Sequence, residues 1–338
     1  MNLEAINAVK KLLSQPQKIV IVPHKNPDGD AIGSTLALWH YLRDIGQEAI
    51  VVSPNDYPKF LKWMPGSSFI LNFEKENTQA KNKIEEATLI FTLDFNHLGR
   101  IGQMESVLKD LSVPFIMIDH HQAPSDYAQI MYSDVLMSST CEMVYNFIEY
   151  LGGADRITSE MADCLYTGIM TDTGSFKFMS TTSRTHRVVA NLIDKGAQNT
   201  EIHHKVFDTN TAGRLHLLGR ALGNMVILEP YRTAYITLSQ EELDAHEFQK
   251  GDTEGFVNYG LTLEGIIFAV IFIENKEEGI IKISFRSIGD FSVNEFARRH
   301  FEGGGHNNAA GGKSERSLAE TAIYFESLLE DYKNELNA

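Results

Sequence analysis

Aspartate and histidine side chains recur at the ends of apolar runs in this chain of 338 residues. The residues concerned are His24, Asp28 and Asp30 after KIVIV, Asp94 at the end of TLIFTLD, Asp119, His120 and His121 at the end of PFIMIDHH, and Asp172 after an apolar helical stretch. Carboxylate oxygen and imidazole nitrogen suit Mn²⁺, Mg²⁺, Fe²⁺ or Zn²⁺, and the absence of cysteine among them argues against a structural zinc site. These side chains offer more ligand atoms than one metal ion needs. Two ions roughly 3.5–4 Å apart are the arrangement that hydrolyses phosphate esters, because they generate hydroxide at neutral pH.

The runs that precede these side chains predict a parallel sheet. Lys18–Val22, Glu48–Val52, Thr88–Asp94 and Pro114–Asp119 each contain consecutive apolar residues instead of alternating apolar and polar ones, as strands covered on both faces require. They alternate with helical patterns, which favours a doubly wound α/β domain. Ligands bind at the carboxyl ends of the strands in such a sheet, so we expect the acidic and histidine side chains to meet there.

The pattern changes in the second part of the chain. After a polar stretch and two short helical segments, three further segments predict strands of a second sheet: Ala234–Leu238, Ile266–Ile273 and Gly279–Arg286. Helices are predicted over Ser292–His300 and Ser317–Asn337. We therefore predict an N-terminal domain over 1–193, a partly helical linker over 194–212, and a smaller C-terminal α/β domain over 213–338, with the active site in the cleft between the domains.

Composition excludes several classes of protein. The net charge of −15 disfavours long nucleic acid as a partner, because proteins that grip many phosphates usually carry a basic face. No apolar run reaches the roughly 20 residues of a membrane span, so we expect no membrane partner. The two cysteines lie in apolar helical pattern, and the first residues lack the apolar segment of a signal peptide. These features predict a soluble, cytoplasmic protein.

A glycine-rich segment near the C-terminus is the second candidate binding element. Five of the ten residues from Gly303 to Gly312 are glycine, which lets backbone approach a ligand closely and lets successive N–H groups bind an anion. Arg286 ends a predicted strand nearby. With His306, it is our candidate for holding the terminal phosphate of a substrate.

Together these motifs resemble the DHH superfamily of phosphoesterases, which includes the RecJ-like enzymes. The resemblance is carried by His24-x3-Asp28-Gly29-Asp30, by Asp94 with Arg100-x-Gly102, by Asp119-His120-His121, by Gly168-x3-Asp172-Thr173-Gly174, and by Gly303–Gly312, which is similar to the signature of the DHH-associated C-terminal domain. It covers nearly the whole chain. Cys141 stands where we expect alanine, and we expect this difference to affect packing only.

The resemblance implies a role for each matching residue. His24 and Asp28 would bind one divalent metal, Asp30, His120 and Asp172 the other, and Asp94 would bridge both. His121 would contact the scissile phosphate, and Asp119 would orient its neighbouring histidine. We count His121, Asp94 and Asp119 as catalytic. The predicted substrate-binding residues are Arg100, Arg286, Gly303, Gly304, Gly305, His306 and Asn307. Mn²⁺ is the metal we expect first, with Mg²⁺ or another divalent ion as alternatives.

The two-domain length is similar to the subgroup of nanoRNases and oligoribonucleases that also dephosphorylate 3′-phosphoadenosine 5′-phosphate (pAp). The resemblance therefore implies a hydrolase that degrades short oligoribonucleotides of about two to five nucleotides to nucleoside 5′-monophosphates, or converts pAp to AMP, by attack of a hydroxide held between two metals. A cyclic-dinucleotide or linear-dinucleotide phosphodiesterase is the alternative, because it uses the same metal site. A non-catalytic nucleotide-binding regulator is a more distant one. A homodimer is compatible with the sequence, but no residue indicates it.

Overall fold

Two six-stranded sheets organise the chain, one in each of two units, residues 1–209 and 210–338. The structure is a computed structural model that describes all residues from 1 to 338. Strands of the first unit are β1 (Lys18–Pro23), β2 (Glu48–Ser53), β3 (Leu71–Asn72), β4 (Leu89–Leu93), β5 (Phe115–Asp119) and β6 (Ile130–Ser133). Its helices are α1 (Leu3–Leu13), α2 (Gly29–Asp44), α3 (Asn77–Glu85), α4 (Glu105–Leu108), α5 (Thr140–Leu151), α6 (Ser159–Asp172), α7 (Ser183–Asp194) and α8 (Asn199–Phe207).

The first sheet is parallel throughout and has the order β3-β2-β1-β4-β5-β6. Its central strands β1, β4 and β5 are buried on both faces. In β1, Ile19 and Ile21 pack toward α2, α5 and α6, whereas Val20 and Val22 pack toward α3 and α4. The prediction of a doubly wound parallel sheet is confirmed. From β1, strands β2 and β3 are added on one side of the sheet, and β4, β5 and β6 on the other. The crevice at this switch point, at the carboxyl ends of β1 and β4, is where such folds bind ligands.

The second unit contains a mixed sheet. Its strands are β7 (Val226–Leu228), β8 (Thr233–Leu238), β9 (Phe268–Asn275), β10 (Ile280–Ser287), β11 (Gly304–His306) and β12 (Ala309–Ser314), in the order β11-β12-β10-β9-β8-β7. Its helices are α9 (Ala212–Gly223), α10 (Gln240–Ala245), α11 (Val293–His300), α12 (Leu318–Leu328) and α13 (Lys333–Leu336). Phenylalanines dominate the core on the α11 and α12 face, as in the contacts of Phe268 with Phe296 and Phe325. The predicted second, smaller α/β unit is confirmed.

Three details differ from the sequence-based expectations. The segment 194–212, predicted as a partly helical linker, contains the helix α8, but Ile202 of this helix is buried in the core of the first unit. The predicted helix Ser317–Asn337 is interrupted after Leu328, and the turn there allows Leu329, Tyr332 and Leu336 to be buried together. The glycine-rich segment forms the β11–β12 hairpin. No helix of the chain combines the length and the apolar character that crossing a bilayer requires.

Candidate metal centre

The site begins where β1 and β4 end. His24 follows β1 directly, and Asp94 follows β4. Asp94 adopts a left-handed backbone conformation with φ of 66°, which aspartate and asparagine tolerate better than most residues. Its N–H donates to the Ile118 carbonyl at 3.1 Å, which ties it to the end of β5. Because β1 and β4 are parallel neighbours in the sheet, His24 and Asp94 lie side by side at their carboxyl ends.

The start of α2 supplies the third member of this group. Asp28 caps the helix, because its Oδ1 accepts from the backbone N–H groups of Asp30 at 3.0 Å and Ala31 at 3.1 Å. Its other oxygen, Oδ2, lies 3.8 Å from His24 Nε2. Asp94 Oδ2 lies 3.5 Å from the same nitrogen. One atom each from His24, Asp28 and Asp94 could therefore hold one cation.

A second group surrounds His120. Its Nε2 lies 3.5 Å from Asp172 Oδ2, 3.6 Å from Asp94 Oδ1 and 3.8 Å from Asp30 Oδ2. Asp30, His120 and Asp172 form a second set that could hold a cation, and Asp94 lies against both sets. The sequence-predicted metal residues are thus brought together in the grouping that the family resemblance implies.

Two glycines make this convergence possible. A Cβ at Gly33 of α2 would lie 2.5 Å from the Cys164 carbonyl of α6. A Cβ at Gly168 of α6 would lie 2.1 Å from Cys141 Sγ and 2.9 Å from Asp30 Oδ1. Glycine at both positions therefore allows α2 and α6 to approach closely, and that approach brings Asp30 near the end of α6, where Asp172 lies.

Each histidine of the site is held through Nδ1. His24 Nδ1 lies 2.9 Å from the Lys25 carbonyl, and His120 Nδ1 lies 3.2 Å from the Met137 carbonyl. His121 Nδ1 lies 2.7 Å from Asp119 Oδ1. Nδ1 must be protonated to donate to these acceptors, which leaves Nε2 of each ring as the atom for a metal or a substrate. The predicted orienting contact of Asp119 is therefore with His121.

Thr140, at the start of α5, contacts both acidic groups. Its backbone N–H donates to Asp30 Oδ2 at 2.6 Å, and its hydroxyl donates to Asp94 Oδ1 at 3.0 Å. The N–H of Cys141 donates to Asp30 Oδ1 at 2.8 Å, so the helix N-terminus binds this carboxylate with two amides. Thr140 is not among the residues predicted from the sequence. The available signal was Ser139 followed three residues later by Glu142, a pattern that marks a helix start.

The electrostatics of the site favour bound cations. Burial alone would lower the pKa of His24, but hydrogen bonds to Asp28 and Asp94 raise it to about 10. Burial also opposes charge on His120, yet the carboxylates of Asp172, Asp94 and Asp30 raise the pKa of its imidazole to about 9. Burial and the nearby charges of Asp94 and Asp172 raise the pKa of Asp30 well above its usual range. The carboxylates therefore attract positive charge strongly.

The donor set also fits divalent ions. Asp30 and Asp94 are only 1% and 2% exposed, and the ion pairs of these two residues and Asp119 are all with histidine. Asp119 Oδ2 is buried without a hydrogen-bond partner. Buried carboxylates need charge compensation, and oxygen with imidazole nitrogen is the combination that Mn²⁺, Mg²⁺ and Zn²⁺ accept. These residue clusters could hold metal ions.

The predicted substrate-binding residues lie in two places. Arg100 lies in the 3₁₀-helical segment Leu98–Met104 after β4, where its carbonyl accepts from the Lys25 N–H at 2.8 Å. The others lie in the second unit, where His306 pairs with Ala309 across the hairpin and Ala309 pairs with Arg286 of β10. Asn307 follows β11 in the turn, and its carbonyl accepts from the Val293 N–H at 2.8 Å.

The glycines of the hairpin have a packing reason of their own. A Cβ at Gly303 would lie 2.0 Å from the Gly311 carbonyl oxygen, and one at Gly305 would lie 2.5 Å from the Ala309 carbonyl oxygen. Gly305 also has φ of 154°. The close pairing of β11 and β12 therefore requires glycine at both positions.

Comparison with known families agrees with this geometry. The model of the DHH family, N-terminal domain, matches residues 18–169, and that of the DHHA1 domain matches residues 234–337. A Thermus thermophilus protein named bifunctional oligoribonuclease and PAP phosphatase NrnA is 31% identical over 322 residues, which are 94% of this chain and 90% of that protein. The chain belongs to the DHH family.

Two other relatives bear on the subgroup of DHH proteins. The crystal structure of an exopolyphosphatase-related protein from Bacteroides fragilis is 41% identical, has a TM-score of 0.95, and is matched over 100% of this chain and 98% of its own. A cyclic-di-AMP phosphodiesterase GdpP from Geobacillus thermodenitrificans is 26% identical over 96% of this chain but only 49% of its own length. This DHH chain therefore lacks a match to half of the GdpP protein, whereas it matches nearly all of the NrnA protein.

Proposed function

We propose that this chain is a metal-dependent phosphohydrolase that degrades short oligoribonucleotides to nucleoside 5′-monophosphates and dephosphorylates pAp to AMP. The observation that carries the proposal is a pair of adjacent oxygen and nitrogen clusters at the ends of β1, β4 and β5: Asp94 belongs to the first, and it lies 3.6 Å from His120 of the second. The near full-length similarity to a protein named oligoribonuclease and PAP phosphatase supports the substrate class. Both proposed substrates carry phosphate esters on ribose, so one hydrolytic site serves both.

In this proposal His24 and Asp28 would hold one ion, Asp30, His120 and Asp172 would hold the other, and Asp94 would contribute to both sites. Mn²⁺ is our first choice, since the donor set is carboxylate and imidazole. When bound, such ions supply an activated nucleophile and neutralise charge on phosphoryl oxygens.

The remaining residues act on the substrate directly or through a neighbour. Asp119 fixes the ring of His121 through Nδ1, and we propose that Nε2 of that ring contacts the scissile phosphate and stabilises its developing charge. Thr140 fixes the carboxylates of Asp30 and Asp94. Arg100, Arg286 and the residues Gly303 to Asn307 are proposed to bind the rest of the substrate.

The test is a turnover panel with Mn²⁺: 5′-phosphorylated di- to pentaribonucleotides, pAp, cyclic di-AMP and a long oligoribonucleotide. The matched control is Asp94→Asn, because asparagine keeps the size and accepts the left-handed backbone while it removes the charge. We expect rapid release of mononucleotides from the short oligomers and of phosphate from pAp, with both lost in Asp94→Asn.

The panel also tests the alternatives. Turnover of cyclic di-AMP alone would assign the chain to the cyclic-dinucleotide phosphodiesterases. This is the activity named for the GdpP relative, which the chain matches over 49% of its length. Nucleotide binding with no metal-dependent turnover of any member would refute the enzyme and leave a nucleotide-binding regulator.

A further inference from the structure

The segment after α6 has an unusual backbone. Gly174, Ser175 and Phe176 are consecutive residues in the left-handed region, with φ of 56°, 62° and 66°. This conformation is unfavourable for residues with a side chain, so it persists only where the surroundings hold it. The turn begins two residues after Asp172, which lies 3.5 Å from His120 in the metal centre.

Buried Thr173 holds the turn in place. Its hydroxyl donates to the Ile169 carbonyl at 2.6 Å and accepts from the Phe176 N–H at 3.0 Å. Its carbonyl accepts from the N–H groups of Lys177 at 3.0 Å and Phe178 at 3.1 Å. The Phe176 ring packs inward against Tyr166, with ring centroids 6.0 Å apart. The backbone as far as residue 178 is therefore fixed relative to the end of α6.

This turn, which begins two residues after Asp172, leaves an aromatic ring partly exposed to solvent. Phe178 is 40% exposed, and Met179 beside it is 80% exposed. The Phe178 ring lies over Gly174, since its Cζ is 2.5 Å from the position that a Cβ on Gly174 would occupy. Glycine is thus required for the ring to lie there, two residues from Asp172. A strained turn that leaves a phenylalanine exposed gains little from burial, which points to a ligand for the ring.

We propose that Phe178 is a stacking surface for a nucleobase of the substrate whose phosphate lies at the metal centre. The inference rests on the proposed function and adds a base-binding residue to it. A nucleobase is flat and apolar on both faces, and stacking on an aromatic ring tolerates any base sequence. Such tolerance suits an enzyme that degrades short oligoribonucleotides of every sequence. Phe178 is thus a binding residue, separate from those that hold metal.

The experiment compares wild type with Phe178→Ala, Phe178→Leu and Phe178→Trp. The substrates are a 5′-phosphorylated diadenylate and two versions of it, each lacking one of the two bases. Phe178→Leu keeps apolar cover over Gly174 but has no aromatic face, so it separates stacking from packing. Phe69→Ala is the matched control: Phe69 is 62% exposed and lies with Lys18 and Glu48, at the amino ends of β1 and β2, which is the opposite edge of the sheet.

We expect Phe178→Ala and Phe178→Leu to raise KM for the intact dinucleotide about 10-fold or more, with kcat within about threefold of wild type. Phe178→Trp should keep the wild-type KM. On one of the two abasic substrates, wild type and Phe178→Ala should have the same KM, because the base that stacks is missing. Phe69→Ala should match wild type throughout.

Several results would overturn this proposal while the proposed function stands. They are an unchanged KM in Phe178→Ala, a wild-type KM in Phe178→Leu, or an equal rise in KM for the intact and both abasic substrates. Absence of turnover by wild type on every nucleotide would instead refute the proposed function, and the stacking role with it.

Discussion

Replacing Thr140 by valine should weaken metal binding while the fold is kept. The Thr140 hydroxyl donates to Asp94 Oδ1 at 3.0 Å, and Asp94 is the carboxylate that lies against both ligand groups. Valine keeps the branched shape of the buried side chain and the backbone N–H that binds Asp30, so only the hydroxyl is lost. The Asp94 carboxylate then loses the contact that fixes its orientation.

The size of the effect follows from this one hydrogen bond. A hydrogen bond to a charged group contributes about 1.5–3 kcal/mol, and each 1.4 kcal/mol is about tenfold in an equilibrium constant. Loss of a partner behind a metal ligand typically costs about 10- to 100-fold in metal affinity. We therefore expect Thr140→Val to bind Mn²⁺ about 10- to 100-fold more weakly than wild type.

The assay is a calorimetric titration of the metal-free protein with Mn²⁺, accompanied by thermal unfolding of the same samples. Thr140→Ser is the matched control, because serine restores the hydroxyl and should bind Mn²⁺ within about threefold of wild type. If Thr140→Val bound Mn²⁺ as tightly as wild type, or if Thr140→Ser were as weak as valine, the assignment of this hydroxyl to Asp94 orientation would be wrong.

Three further substitutions test the packing that supports the site and the second core. Gly168→Ala should lower the unfolding free energy of the first unit by about 1–3 kcal/mol in urea, because the new Cβ would clash with Cys141 Sγ. Adding Cys141→Ala should restore part of that loss, and a double mutant without any restoration would refute the clash. Thr185→Val should cost about 1–3 kcal/mol of unfolding free energy, because the Thr185 hydroxyl donates to buried Glu142 at 2.9 Å and accepts from the Thr182 N–H at 3.0 Å. A neutral effect would contradict these two hydrogen bonds. Phe268→Ala should lower the unfolding free energy by about 3–5 kcal/mol, because it leaves a cavity among the aromatic rings of the second unit. A loss below about 1 kcal/mol in the same measurement would mean that this core is not closely packed.

Much of the first unit could be predicted from its sequence. The apolar runs that become β1, β4 and β5 are buried on both faces, so their composition distinguishes them from exposed strands. Ligand-type residues directly after those runs then had to meet, since parallel strands share one carboxyl edge. The short strands β3 and β6 were not predicted, because a run of two or four residues is too short to show a hydrophobic pattern.

The rest depends on tertiary contacts that local pattern does not encode. Thr140 acts through two carboxylates that are 46 and 110 residues away in the chain. The glycines of the β11–β12 hairpin indicate close backbone approach, yet the sequence does not say whether ligand or strand makes that approach. The residue types of Ser175 and Phe176 do not indicate their positive φ angles, because residues with a side chain adopt positive φ only when their surroundings enforce it.

The central claim is that the two clusters next to each other at Asp94 would hold divalent ions, and that this site hydrolyses short RNA. The most direct test measures hydrolysis of a 5′-phosphorylated diribonucleotide against the number of Mn²⁺ ions bound per chain, in wild type and in Asp94→Asn. We predict two Mn²⁺ per wild-type chain, turnover that rises with the second ion, and a folded Asp94→Asn protein without turnover. Wild-type hydrolysis in excess chelator, or undiminished hydrolysis by Asp94→Asn, would contradict the claim.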